Sequence, residues 1–169
     1  CPPLPSSDAV VRDAVERSAR WAARAKVAHS VARGAGSTQA QFGIVQGGID
    51  PGLRVESAER TLAIGFDGYG IGGLSVGESR EEMLPALAAT TAVLPVDRPR
   101  YLMGVGDPVG VVEGVALGVD MFDCVLPTRL ARHGTILTTA GRLNLRNARF
   151  ADDPEPLEPG CACSTCARW

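Results

Sequence analysis

The first apolar pattern in the chain has a helical period. From Asp8 to Arg33, Val11, Val15, Ala22 and Ala25 recur on one side, while Asp13→Arg17 and Glu16→Arg20 are acid-first pairs on the other. The spacing predicts one long helix, capped by Ser6, Ser7 or Asp8 and ended by Gly34. Gly-Ala-Gly-Ser at 34–37 reads as a loop.

Beyond it come short apolar runs, the first three closed by glycine. Phe42 to Gln46 predicts a strand followed by Gly47-Gly48, and Asp50-Pro51 predicts a helix start with Asp as cap. Phe66 to Ile71 predicts a second strand ending at Gly72-Gly73, then a helix from Ser79 to Leu94, kinked or delayed by Pro85. Arg100 to Met103 predicts a third strand closed by Gly104-Val105-Gly106, with Asp107-Pro108 opening a helix to Leu117. Val119 to Phe122 predicts a fourth strand, ending at Asp123-Cys124.

Three strand–turn–helix units entering a fourth strand predict an α/β fold with a parallel sheet. A (β/α)8 barrel and an open doubly wound sheet both contain such units. Four of them are half of a barrel of typically ~250 residues, so an open sheet or a partial barrel is expected. Thr135 to Thr139 and Arg142 to Leu145 predict a hairpin through Ala140-Gly141, a small β insertion over 134–146. The expected organisation is a barrel part over 1–150 and the start of a zinc-binding segment over 151–169.

Composition narrows the class. Hydrophobic residues at 45% and charged residues at 21% exclude a disordered tail. No apolar run approaches the ~20 residues of a membrane span and no basic-then-apolar leader opens the chain, so a soluble, cytoplasmic protein is expected. The net charge of −2 argues against a general nucleic-acid coat. Yet no acidic residue falls between Asp123 and Asp152, where Arg129, Arg132, Arg142, Arg146 and Arg149 all lie. Such a basic stretch suits phosphates, and equally a solvated face.

Of five cysteines, Cys161, Cys163 and Cys166 form C-x-C-x-x-C. That spacing suits three corners of a tetrahedral, structural zinc site in a reducing compartment, better than a disulfide framework. Cys124, His29 and His133 are candidates for the fourth corner within the chain, and a residue outside it is the other possibility.

In parallel α/β architectures, chemistry gathers where strands end. Those ends are Gln46, Gly72-Gly73-Leu74, Met103-Gly104 and Asp123. Gln46 can donate and accept, which suits a nucleobase edge. The glycines let a flat ligand approach the main chain. Strand alternation sends Asp123 into the mouth among apolar neighbours, where a carboxylate can act as nucleophile or general base. Singly, each fits a turn or a cap. Convergence on one rim raises them together.

Phe42-Gly43-Ile44-Val45-Gln46-Gly47-Gly48, Gly65-Phe66-Asp67-Gly68-Tyr69, Gly72-Gly73-Leu74-Ser75-Val76-Gly77-Glu78 and Tyr101-Leu102-Met103-Gly104-Val105-Gly106 form an ordered series. With Asp120-Met121-Phe122-Asp123-Cys124-Val125-Leu126-Pro127-Thr128-Arg129 and the cysteines, the chain resembles the tRNA-guanine transglycosylases, the bacterial queuine tRNA-ribosyltransferases. The resemblance implies a zinc-containing (β/α)8 barrel that exchanges guanine at the anticodon wobble position of tRNA for the queuosine precursor preQ1.

It implies Asp123 as the nucleophile on ribose C1′, with Gln46 and the Gly73-Leu74 backbone on the base edge. Met103 would lie against the base face, and Glu78 behind the Leu74 peptide. Thr128, Arg129, Leu130, Ala131 and Arg132 would meet the anticodon loop, as would the turn of Gly104, Val105, Gly106, Asp107, Pro108 and on to Gly110. Cys161, Cys163 and Cys166 would bind Zn2+ together with a downstream His. A homodimer is the family's expected assembly.

Some family features are not among these residues. The resemblance places the first barrel strands and an acid/base aspartate before residue 1, and a base-binding aspartate just upstream of Cys1. Asp107 stands where the family usually has Lys, which weakens that RNA contact. The chain is therefore expected to be a fragment, inactive alone. Val76 and Cys1 match the preQ1-using bacterial form. Two alternatives remain: a non-catalytic zinc-bearing tRNA-binding partner, and another barrel hydrolase using Asp123 as base.

Overall fold

In the computed structural model, which describes residues 2–34 and 36–166, the sequence's helical period becomes α1, Asp8–Ala32. Cys1, matched above to the bacterial form, lies outside the described residues, as does Ala35 of the loop at 34–37. Val11 and Val15 are the buried residues of α1, and Asp13 pairs with Arg17 at 2.5 Å on its outer side. Ser7 stands at the N-cap without a side-chain hydrogen bond, and Arg33 closes the helix.

Three strand–helix units follow: β1 (Phe42–Val45), α2 (Pro51–Ile64), β2 (Gly68–Ile71), α3 (Arg80–Val93), β3 (Arg100–Leu102) and α4 (Pro108–Ala116), then β4 (Met121–Phe122). The strands form a parallel sheet in the order β1-β2-β3-β4. The order follows the sequence without reversal, so every crossover leads to the next neighbour.

The helix starts follow from single side chains. Asp50 accepts from the Leu53 N–H at 2.8 Å, and Asp107 accepts from the Gly110 N–H at 3.0 Å. Ser79 and Glu82 exchange bonds in a capping box. Pro85 lies inside α3 and does not end it.

Val45, Ile71 and Leu102, one from each of three strands, are 0% exposed, and Ala58, Ala86 and Leu87 meet them from α2 and α3. Full burial of a side chain such as Leu87 contributes about 1.5–3 kcal/mol. The layers touch closely at Gly43, where an added Cβ would lie 2.4 Å from the Phe66 ring and 2.6 Å from Thr61 Cγ2.

Two strands, β2 and β4, are two residues shorter than their apolar runs. Pairing of β2 starts at Gly68, opposite Phe42, so Phe66 packs edge-on to Tyr69 instead, ring centroids 6.5 Å apart. Val119 and Asp120 precede β4 because the Asp120 carboxylate accepts from the Arg100 N–H at 2.9 Å, holding that stretch as a staple.

The chain divides into two compact units, Cys1–Cys124 and Val125–Trp169. The division falls after Cys124, earlier than the break at 150 read from the sequence. The second unit opens with a helix the apolar pattern did not announce, α5 (Leu126–Arg132). It continues with the antiparallel hairpin β5 (Thr135–Thr138) and β6 (Gly141–Asn144) and a 3-10 turn at Ala148–Phe150. Among the described residues no helix is long and apolar enough to cross a membrane.

Candidate active site

Each of the first unit's four strands is followed directly by a residue singled out above: Gln46, Gly72, Met103 and Asp123. In β3 and β4 Tyr101 pairs with Met121, so alternation puts Asp123, two residues on, on the same face as Tyr101. Their side chains meet. The Tyr101 hydroxyl donates to Asp123 Oδ1 at 2.7 Å, and the Gly104 N–H donates to the same oxygen at 2.7 Å.

Asp123 is exposed, and its immediate partners are polar rather than the apolar neighbours that strand alternation suggested. The Tyr101 hydrogen bond, then that of Gly104, hold its carboxyl below the usual aspartate value of 3.8, because both favour the charged form. The same bond pushes the Tyr101 phenol above its usual 10.0. Oδ2 makes no hydrogen bond among the described residues, which leaves one carboxylate oxygen oriented and unengaged.

At these strand ends three side chains close over the bare main chain of Gly72. A Cβ added at Gly72 would lie 2.9 Å from Ile44 Cγ2, 3.1 Å from Gln46 Nε2 and 3.6 Å from Met103 Sδ. The Gln46 amide and the Met103 thioether thus converge over bare backbone. Gln46 is fixed at its own N–H, which donates to Ser57 Oγ of α2 at 2.9 Å.

The loop after β2 is clamped. Glu78 accepts from the Ser75 N–H and, at 2.9 Å, from the Val76 N–H. A trans peptide directs its C=O opposite to its N–H, so the Leu74 carbonyl turns away from Glu78. The Leu74 side chain is 3% exposed, which leaves its main chain as its polar offering. Ser75 takes φ 60, a left-handed conformation held by this acid.

The turn after β3 is largely committed to the fold. Gly104 donates to Asp123, Val105 is buried, and a Cβ at Gly106 would lie 2.1 Å from Cys124 Cβ. Asp107 spends its carboxylate as the α4 cap, a task Lys cannot perform; Pro108 is exposed.

In the second unit, Thr128, Arg129, Ala131 and Arg132 are exposed on α5 and Leu130 is half-buried. Arg142, Arg146 and Arg149 are exposed too, and none of the five arginines has an ion-pair partner among the described residues. Arg149 lies 4.5 Å from the centre of the Phe150 ring.

Cys161, Cys163 and Cys166 bring their sulfurs within 4.8 Å of one another. Glu158 positions them: its carboxylate accepts from the Thr139 N–H at 2.9 Å and its carbonyl from the Cys161 N–H at 3.1 Å. The Cys166 N–H donates to Cys163 Sγ at 3.4 Å and holds that thiol below its usual range. Three converging soft donors fit zinc. Among the described residues of the second unit no fourth ligand joins them, His133 included.

Sequence reasoning missed Tyr101 and Arg54. Period-two alternation puts Tyr101 on the Met103 face of β3, a usable signal. Arg54 gave none, since an arginine in a helix ordinarily reads as solvent-facing.

The family model described as queuine tRNA-ribosyltransferase matches residues 1–169. Queuine tRNA-ribosyltransferases of Symbiobacterium thermophilum and Halothermothrix orenii are 54% and 53% identical to the whole chain. That of Syntrophobacter fumaroxidans is 50% identical over the same 169 residues. The chain spans 41% of the first of these proteins and 44% of the other two.

Proposed function

The chain belongs to the queuine tRNA-ribosyltransferase family, and from that premise we propose that its strand ends carry out guanine exchange at the tRNA wobble position. Asp123 is the nucleophile. Tyr101 and Gly104 hold Oδ1 and keep the group ionised, so Oδ2 attacks ribose C1′ as the bond to guanine N9 lengthens. Positive charge spread over C1′ and the ring oxygen is stabilised by the carboxylate and then trapped as a ribosyl ester. Guanine leaves with the N9 electron pair and takes a proton. The incoming base gives up its N9 proton as that nitrogen attacks C1′ and releases Asp123. One glycosidic bond is broken and one formed, so no nucleotide triphosphate is consumed.

The slot of Gln46, Gly72, Gly73 and Met103 takes the flipped base, whose unstacking costs a few kcal/mol. The Leu74 carbonyl, turned away from Glu78, accepts from an aminomethyl substituent, which favours preQ1 as the incoming base. The exposed arginines of 129–149 contact phosphates and position the tRNA. Cys161, Cys163 and Cys166 hold a zinc ion that braces the second unit and takes no part in the chemistry. The unreversed strand order supports the first unit as part of a (β/α)8 barrel.

The carrying observation is a carboxylate with one oxygen fixed by two donors, at strand ends where Gln46 and Met103 meet over the glycine backbone. The test is incorporation of labelled guanine into tRNA by a protein of the relatives' length containing this chain. Incorporation abolished by Asp123→Asn supports the assignment; incorporation unchanged by it refutes it.

A further inference from the structure

Arg54 is the largest fully buried side chain of the first unit, and no carboxylate pairs with it among the described residues. Burying a cation is costly unless its donors are satisfied. Here all its hydrogen bonds go to main-chain carbonyls of two loops. Nε donates to Gly48 O at 2.7 Å, Nη1 to Gly72 O at 2.6 Å and Nη2 to Gly73 O at 3.0 Å. Gly48 follows Gln46 on the β1 loop, and Gly72-Gly73 form the floor of the base slot on the β2 loop. The fork of a guanidinium fits this task where a single ammonium does not.

Peptide planarity turns these contacts into an orientation. With the Gly72 and Gly73 carbonyls held toward Arg54, the Gly73 and Leu74 N–H groups of the same peptides face the opposite side. Neither N–H donates to another described group. Glu78 holds the next two peptides by their N–H groups, so a cation and an anion grip successive stretches of one loop in opposite senses. The nearby Glu78 charge partly offsets the desolvation that lowers the Arg54 pKa to about 10.

We infer that Arg54 is a positioning residue for the base slot, locking the Gly72-Gly73 peptides and the Gln46 loop in one register so that two N–H donors face the base edge. The inference rests on the proposed reading of that slot. Arg54 itself does not touch the base.

The test uses a protein of the relatives' length containing this chain, with Arg54→Lys and Arg54→Met beside Gln46→Ala. Active sites are counted by covalent trapping on tRNA, so loss of folded protein does not enter the rates. Misplaced donors are expected to raise the KM for the free base roughly tenfold to a hundredfold in Arg54→Met. The KM for tRNA, dominated by phosphate contacts, should stay within about twofold. Arg54→Lys keeps the charge and should recover part of the loss; if Arg54→Met does not fold, it carries the test alone. A lower active-site count with both KM values unmoved in Arg54→Lys and Arg54→Met, while Gln46→Ala still raises the KM for the base, would reduce Arg54 to a packing role. Should Gln46→Ala also leave the base KM unmoved, the slot reading itself fails and the inference falls with it.

Discussion

Tyr101, in the middle of β3, and Asp123, the residue after the adjacent parallel strand β4, share a 2.7 Å hydrogen bond in which the phenol donates to Oδ1. The contact joins fold to chemistry, since the β3–β4 register that packs Leu102 in the core also aims this hydroxyl. A carboxylate so held keeps one oxygen fixed and the other directed outward.

The pH dependence follows from that bond. Asp123 has a folded pKa depressed below 3.8, so its interaction is fully present above 3.8 and lost as pH falls through the lower folded value. Tyr101→Phe removes the largest cause. The acid limb of the pH–rate profile is expected to move upward, toward the ordinary aspartate value, with a lower maximal rate. An acid limb in the same place as wild type would show that Tyr101 does not tune Asp123.

Gly43→Ala tests the packing between β1 and its covering helix. Its Cβ would meet the Phe66 ring at 2.4 Å and Thr61 at 2.6 Å, and both neighbours are buried. Urea unfolding should show a loss of about 1–3 kcal/mol, the usual cost of overpacking a dense core. No measurable change would mean that the helix shifts freely.

Asp107→Lys trades structure for charge. The substitution removes the bond to the Gly110 N–H, worth about 1 kcal/mol as a helix cap, and replaces an anion by a cation in the turn proposed to face RNA. Thermal stability should fall while tRNA affinity at low salt rises. Asp107→Asn, which keeps an acceptor, should retain most of the stability. Equal melting temperatures for all three proteins would exclude the capping role.

For the cysteine cluster the readout is metal content. Cys163→Ser removes one of three sulfurs that lie within 4.8 Å of one another. Zinc per chain should fall, and proteolysis after residue 125 should accelerate. Zinc content indifferent to the substitution would mean that the thiols are idle.

Much of this was legible in the sequence because short elements announce their ends. Asp50, Ser79 and Asp107 each stand before a helix and each cap it, and glycine-closed apolar runs located three of the four parallel strands. Lengths were harder. Val119-Asp120 reads as strand by composition, but the Asp120 carboxylate binds the Arg100 main chain twenty residues away, a contact no local pattern carries. The Asp123 position was legible from topology, whereas its partners depend on strand register. Arg54 was hidden for a different reason: its three acceptors are main-chain carbonyls, which leave no trace in residue identity.

The central claim is best tested by mass spectrometry of the Asp123-containing peptide after incubation of a relatives'-length protein with guanine-bearing tRNA and acid quench. The account predicts a ribonucleotide mass increment on Asp123, absent in Asp123→Asn and discharged by added preQ1. An increment on another residue, or exchange proceeding in Asp123→Asn at the wild-type rate, would contradict it.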